Sequence, residues 1–346
     1  MAIESATITF YKINKCGYYL YGKDQVAFGN CLELLADLNG WATGKTLKET
    51  KTYEANDEVL PAYLLDFKES GDNFVLLLWN EVPSTDQNVS SVAETAHFGT
   101  GPAVILNPIQ KGSIPGFATY FWFVPSKGLV ASIKLNHPVT GQKAMQCYLH
   151  NFLKNSSNRA LVEGVEKEDG SFEAVVKGYK VNPDDVSLPK KRHYPQFVTG
   201  LVKNPGKHDI IKQNANNISK IEKVVELDVS KPAQLDLWQK LLINMHISGP
   251  QNAAVSTKIR YELSPEVDLN DVNGMIADWN DNAETNACDY GFVFKGDPKM
   301  YWLSRSLART KFPLELERQD AEFVSSDSLL KELIGKRNVI FREAGV

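Results

Sequence analysis

Apolar and polar residues alternate with a period of two over many short segments of this chain, a pattern typical of β-strands that bury one face. In the first such segment, Ala6–Tyr11, Ile8 and Phe10 alternate with threonines, and residues 18–21 form a second, shorter one. Three pairs of apolar segments joined by short polar turns predict hairpins. These pairs are residues 60–68 with 73–80, 118–124 with 128–135, and 160–166 with 172–181.

Other segments repeat their apolar residues at the spacing of a helix. The predicted helices cover residues 26–38, 142–154, 205–218, 230–246, 265–282 and 327–335, and an edge strand at 339–341 follows the last. Hairpins mixed with helices favour an α+β fold with mixed or mainly antiparallel sheets packed against helices. The polar stretch at 155–158 predicts a boundary between an N-terminal α+β domain (1–155) and a C-terminal α+β domain (156–346) that carries the candidate binding surface.

Charge is distributed unevenly along the 346 residues, whose formal net charge is -4. Residues 156–260 contain 16 Lys and Arg against 12 Asp and Glu, a balance of +4, whereas the stretches before and after are acidic. The overall charge excludes a protein coated in positive charge for bulk nucleic-acid binding. A local contact with a polyanion is therefore expected only in the middle of the chain.

The densest basic run lies at residues 190–194, and further lysines follow it. Lysine and arginine attract phosphates, and aromatic rings such as Tyr194 and Phe197 stack on bases. The sequence therefore predicts one basic patch that binds nucleic acid, formed by Lys190, Lys191, Arg192, Tyr194, Lys203, Lys207 and Lys212. A solvated loop is the competing interpretation.

Two other functions stay open. A metal-dependent nuclease could use Asp57 or Glu58 with Asp66 to hold Mg²⁺, and Lys68 beside the scissile phosphate. Alternatively, residues 262–289, which contain eight acids and no Lys or Arg, could form a protein-interaction module or simply an exposed helix.

Catalytic motifs that are local in sequence are not found. The four cysteines form no CxxC, the six histidines form neither HxH nor HExxH, and no GxSxG occurs. We therefore predict no catalytic residue, no metal site and no cofactor, and a protein without enzymatic activity is favoured. Without a secretory signal or a long apolar run, a cytoplasmic location is expected.

The order of these elements resembles that of the RexA-type phage-exclusion proteins, over about two thirds of the chain. The matching segments are Phe10-Tyr11, Leu76–Trp79, Pro115 to Phe123, Gly128–Leu135, the helix to Lys154, and Phe197–Val225. The resemblance implies a phage- or prophage-borne defence protein acting in abortive infection, with two α+β domains, DNA contact and often a membrane partner. It supplies no catalytic motif, and the sequence pI near 5.9 departs from a basic DNA binder.

The sequence thus predicts a non-enzymatic, phage-derived defence or regulatory protein that binds nucleic acid or a phage component through the basic patch. A nucleic acid or another protein is the expected partner, and the resemblance implies that the protein partner is a membrane protein. Assembly with copies of itself is left open.

Overall fold

One long strand, β1 (Ala2–Leu20), runs through the first of two units into which the chain divides. The computed structural model describes residues 2–55, 59–82, 90–97, 99, 105–106, 112–135, 140–166, 172–203, 205–228, 256–263, 267–282, 288–319 and 323–346. Unit 1 comprises Met1–Val202 with Ala308–Val346, and unit 2 comprises Lys203–Leu307. The strand predicted at 6–11 and the first three residues of the one predicted at 18–21 belong to β1, which continues across a register shift between Ile13 and Lys15.

Unit 1 contains a 10-stranded antiparallel sheet with the order β11-β1-β8-β7-β4-β3, in which β2 and β16 also pair with β1, and β5 joins β6 to β7. Unit 1 also contains a separate two-stranded sheet, the hairpin of β9 and β10. The strands of unit 1 after β1 are β2 (Val26–Phe28), β3 (Ala62–Ser70), β4 (Asn73–Glu81), β5 (Ser90–Ala93), β6 (Ile105–Leu106), β7 (Ser113–Val124), β8 (Leu129–Lys134), β9 (Ala160–Glu166), β10 (Phe172–Tyr179), β11 (His193–Leu201) and β16 (Arg309–Leu316). The three predicted hairpins are confirmed as β3–β4, β7–β8 and β9–β10.

Helices cover both faces of the large sheet, which explains its strongly apolar strands. Unit 1 contains α1 (Cys31–Ala42), α2 (Gln142–Asn151) and α5 (Ser326–Ala344). On β7, Trp122 faces the core beneath α5, where its ring stacks on Phe341 at 5.3 Å. Its neighbours Phe121 and Phe123 face the core that α1 and α2 cover. All three side chains of this aromatic run are fully buried.

The helix predicted at 26–38 begins five residues later, and β2 occupies its expected first turn. Gly29 has a φ of +81°, which ends the strand, and the Asn30 side chain then accepts a hydrogen bond from the Glu33 N–H. The helical spacing predicted for this segment therefore included Val26, which belongs to strand β2.

The prediction that Gly335 ends the last helix was wrong, and so was the edge strand at 339–341. Helix α5 continues to Ala344 and ends at Gly345, which has a φ of +76°. Residues 340 and 341 continue the buried face of the helix, so an apolar triplet was mistaken for a strand.

Unit 2 is a separate α+β element inserted between β11 and β16. Its antiparallel sheet has the order β13-β12-β14-β15. The elements of unit 2 are α3 (Pro205–Gln213), β12 (Ile218–Asp228), β13 (Ser256–Leu263), α4 (Leu269–Asn282), β14 (Cys288–Phe294) and β15 (Asp297–Trp302). The helix predicted at 230–246 lies outside the described residues.

The expected boundary between residues 155 and 156 lies inside unit 1. The polar stretch there ends a π-helical segment, Phe152–Ser156, that continues α2. Within the polar stretch, Ser157 is buried and shares a 2.6 Å hydrogen bond with the hydroxyl of Tyr18 on β1. The stretch is thus packed against the sheet, and its polar composition alone did not reveal that Tyr18 is its partner.

Candidate nucleic-acid interface

The basic run at residues 190–194 leads directly into β11, beside the end of β1. In the antiparallel register of these strands, Leu20 pairs with His193 and Tyr19 pairs with Tyr194. β2 pairs with the same end of β1 on its other side. The strand pairing therefore brings the basic run next to the turn that follows β1.

Two tyrosines form an aromatic pair at this position. The rings of Tyr21, in the turn after β1, and Tyr194, on β11, lie 4.8 Å apart at an angle of 33°. Tyr21 is 72% exposed, whereas the third ring of the group, Tyr19, is buried and lies 6.1 Å from Tyr194. An aromatic face held by neighbouring rings and open to solvent is what a nucleobase needs for stacking.

The cations beside this pair are exposed. Within the part of the chain that the structure describes, no carboxylate lies within 4.0 Å of the charged groups of Lys190, Lys191 or Arg192. Lys15 differs, because its ammonium is 3.0 Å from Asp24 and that hydrogen bond raises its pKa. The three charges of the basic run are therefore available for phosphates.

Tyr21 and Lys23 were not predicted as site residues. Lys23 is exposed and closes the turn, since its N–H donates to the carbonyl of Leu20. Neither residue stands in a basic run. The pairing of β1 with β11 brings the ring of Tyr21 to Tyr194, and Lys23 lies in the same turn as Tyr21. We call the following residues the tyrosine–lysine surface: Tyr21, Lys23, Lys190, Lys191, Arg192 and Tyr194.

His193 and Phe197, which also lie on β11, do not contribute to the tyrosine–lysine surface. Burial lowers the pKa of His193, whose ring meets Phe28 edge to face at 4.8 Å, so His193 adds no charge at neutral pH. Phe197 was expected to stack on bases, and that expectation was wrong. Its side chain points into the core, where it is 1% exposed.

The remaining predicted residues lie in unit 2. Lys203 donates to the side-chain oxygen of Asn280 at 2.9 Å, and burial together with the charge of Lys212 lowers its pKa. Lys207 lies in the first turn of α3, and Lys212 is exposed near its end. The predicted patch is therefore divided between the two units, with Lys190, Lys191, Arg192 and Tyr194 in unit 1.

The residues of the nuclease alternative are only partly described. Asp57 and Glu58 lie outside the described residues. Asp66 is buried, and burial raises the pKa of its carboxyl. Lys68 forms an ion pair with Asp327 at 3.0 Å. Among the described residues, no group of three or more His, Cys, Asp or Glu side chains is arranged to hold a metal ion.

Several acids of the 262–289 segment have partners within unit 2. Glu262 lies 2.9 Å from Lys220, and Asp289 accepts a 2.6 Å hydrogen bond from Ser304. Asp278 lies 3.2 Å from the ammonium of the buried Lys223. These acids are paired within unit 2, so the absence of Lys and Arg from the segment overstated its free negative charge.

No helix in the described ranges combines the length and the apolar character needed to cross a bilayer. Comparison of this chain with protein-family models, with curated proteins and with solved structures finds no match. The resemblance to the phage-exclusion proteins therefore stays a prediction, and the geometry of the tyrosine–lysine surface carries the functional argument.

Proposed function

We propose that this protein binds single-stranded nucleic acid through the tyrosine–lysine surface. The observation that carries the proposal is the contact between the exposed ring of Tyr21 and Tyr194, which follows two residues after a run of three exposed cations that lack acidic partners among the described residues. Phosphates are attracted by the cations, and an unpaired base stacks on a tyrosine. Bases within a duplex are already stacked, so a single strand fits this surface better.

The wider biological role is part of the same proposal. A formal charge of -4 favours a local contact over a surface that wraps a long polyanion. A local contact suits a non-enzymatic defence or regulatory protein of phage origin that recognises a nucleic acid or a phage component. Its protein partner would be a membrane protein, in line with the RexA-type resemblance, and units 1 and 2 would be separate domains.

The experiment measures the affinity of the full chain for a fluorescein-labelled oligothymidine of about 20 nucleotides by fluorescence anisotropy at several salt concentrations. The test variant replaces Lys190, Lys191 and Arg192 by glutamine. A matched control replaces Lys143, Lys311 and Lys331, which are also exposed residues of unit 1, by glutamine. Both variants lose three positive charges, so they differ only in where the charges lie.

The test variant should bind at least about tenfold more weakly at low salt, and the slope of log K against log salt should fall by about 2. The control should bind nearly as the wild type does. If both variants bind alike, the proposal is contradicted. A third variant, with Lys203, Lys207 and Lys212 replaced by glutamine, measures whether unit 2 contributes to the same complex.

A further inference from the structure

Unit 1 contains a cavity of about 670 Å³ between the end of β1, helix α1 and the chain after α2. Gly17 and Gly29 form part of its wall, and a Cβ on Gly17 would lie 2.7 Å from the carbonyl oxygens of Phe28 and Gly29. Glycine at position 17 permits this close approach of the two backbones at the cavity wall. Its volume is in the range of small-molecule sites.

Part of the cavity wall is apolar and held in place. The Tyr18 ring stacks on Phe28 at 4.9 Å, and its hydroxyl is 3.0 Å from the carbonyl oxygen of Leu153. Trp41 packs edge to face on Phe152 at 5.3 Å. Tyr18 and Trp41 are therefore fixed before any ligand enters, which lowers the entropy cost of binding.

Helix α1 contributes two carboxylates to the cavity. Glu33 and Asp37 are four residues apart and so lie on the same face of the helix. The guanidinium of Arg159 is 2.7 Å from Glu33, donates to the carbonyl oxygen of Val181, and stands 5.6 Å from the centre of the Phe28 ring. Arg159 and Glu33 thus neutralise each other at the cavity wall.

Asp37 has no such counter-ion within 4.0 Å among the described residues. Its carboxylate accepts the N–H of Asn158 at 3.1 Å. Burial raises the pKa of the Asp37 carboxyl, although the Asn158 N–H and the charge of Arg159 oppose that shift. A cation that reached Asp37 would relieve the cost of this half-buried negative charge.

We propose that the cavity binds a small organic cation, with its ammonium group at Asp37 and its apolar part against Trp41. The charges of the lining residues, two carboxylates and one guanidinium, leave one negative charge for the ligand to neutralise. The ammonium of Lys45 stands 5.0 Å from the centre of the Trp41 ring, so the apolar part of the ligand, and not its ammonium group, is placed at Trp41. This site is separate from the tyrosine–lysine surface and does not depend on nucleic-acid binding.

The test uses isothermal titration calorimetry of the full chain with phenethylamine and its neutral isostere 2-phenylethanol. The amine should bind at least about tenfold more tightly than the alcohol, because only the amine places a charge at Asp37. Asp37→Asn should remove this preference, because it removes the negative charge. The amide oxygen of the variant can still accept the Asn158 N–H, so the local structure is kept. Asp184→Asn, at an exposed position outside the cavity lining, should keep it.

A second variant locates the site if Asp37→Asn does not fold. Gly40 lines the cavity, and a Cβ there meets no atom within 4 Å, so Gly40→Leu places a side chain in the open space. It should weaken amine binding at least about tenfold. Gly335→Leu, at an equally open position of α5, should not. Equal affinity for amine and alcohol in the wild type, or unchanged amine binding in Gly40→Leu, would overturn the proposal.

Discussion

Tyr21 is the residue whose role in nucleic-acid binding can be isolated from charge. Tyr21→Ala removes an exposed ring that lies beside Tyr194, so we expect oligothymidine affinity to fall by about 1–3 kcal/mol, the value of one base–aromatic stack. The slope of log K against log salt should stay unchanged, because no cation is lost. Fluorescence anisotropy at several salt concentrations measures both quantities.

Tyr21→Phe is the matched control, since it keeps the ring and removes the hydroxyl. It should bind within about twofold of the wild type if stacking is the interaction. An equal loss in both variants would show that the hydroxyl makes the contact instead.

We expect His208 to make the stability of unit 2 depend on pH. Burial, together with the charges of Lys203 and Lys212, lowers its pKa from 6.5 to about 4, and Asp209 opposes this only weakly. The neutral ring lies 5.8 Å from Trp279. In the unfolded chain His208 takes up a proton near its ordinary pKa, so its contribution to stability is complete above about pH 6.5 and is lost progressively as the pH falls towards 4.

The expected loss in the free energy of unfolding is about 2 kcal/mol between about pH 7 and pH 5. Urea denaturation of the wild type and of His208→Phe at both pH values measures it. The variant should lose less stability over this interval, because its side chain cannot be protonated. The same pH dependence in both proteins would assign it to other groups.

The sequence predicted the charge or aromatic character that single residues bring to the site, but not their burial or their neighbours in the fold. Lys190, Lys191 and Arg192 lie where an exposed basic run was expected. Phe197 has the same aromatic character as Tyr194, yet strand alternation buries it in the core. Tyr21 becomes a site residue only through its neighbour on β11, 173 positions away in the chain.

At the scale of elements, hairpins were predictable because both strands and the turn lie within one short segment. β16 (Arg309–Leu316) was not predicted, although its buried residues alternate. Among the described residues it pairs with the N-terminal half of β1, at the other end of the chain. The end of α5 was misjudged for a related reason. Phe341 packs on Trp122, which lies far away in the sequence.

Gly335 gives a test of the continuous helix α5. A Cβ there meets nothing within 4 Å, and alanine loses less conformational entropy on folding, so Gly335→Ala should raise the free energy of unfolding by about 0.5–1 kcal/mol. Urea denaturation of the full chain measures the change.

Gly141→Ala is the contrasting substitution. Gly141 has a φ of +71°, and an added Cβ would lie 2.7 Å from the Thr119 side chain. This variant should lower the free energy of unfolding by at least about 1 kcal/mol. If Gly335→Ala also lowered it, α5 would not be continuous through residue 335.

At the scale of the whole molecule, unit 2 is inserted where two strands of unit 1 meet. β11 and β16 pair with successive parts of β1, and the Ala308 N–H donates to the carbonyl oxygen of Val202 at 2.8 Å. The chain therefore leaves and re-enters unit 1 at adjacent points, an arrangement that composition could not reveal.

Replacing residues 203–307 with a short glycine linker should therefore leave unit 1 folded. We expect a single cooperative unfolding transition and an oligothymidine affinity close to that of the full chain. Circular dichroism and fluorescence anisotropy measure these two properties. An unfolded product would mean that unit 1 needs unit 2 for its stability.

The most direct test of the central claim locates the bound strand on the protein. A 5-bromouracil-substituted oligonucleotide is crosslinked to the full chain by ultraviolet light, and the modified peptides are identified by mass spectrometry. Because Tyr21 and Tyr194 are proposed to stack on bases, the crosslinks should fall on one or both of them and disappear in the variant with Lys190, Lys191 and Arg192 replaced by glutamine. Crosslinks confined to residues 203–307 would contradict the account.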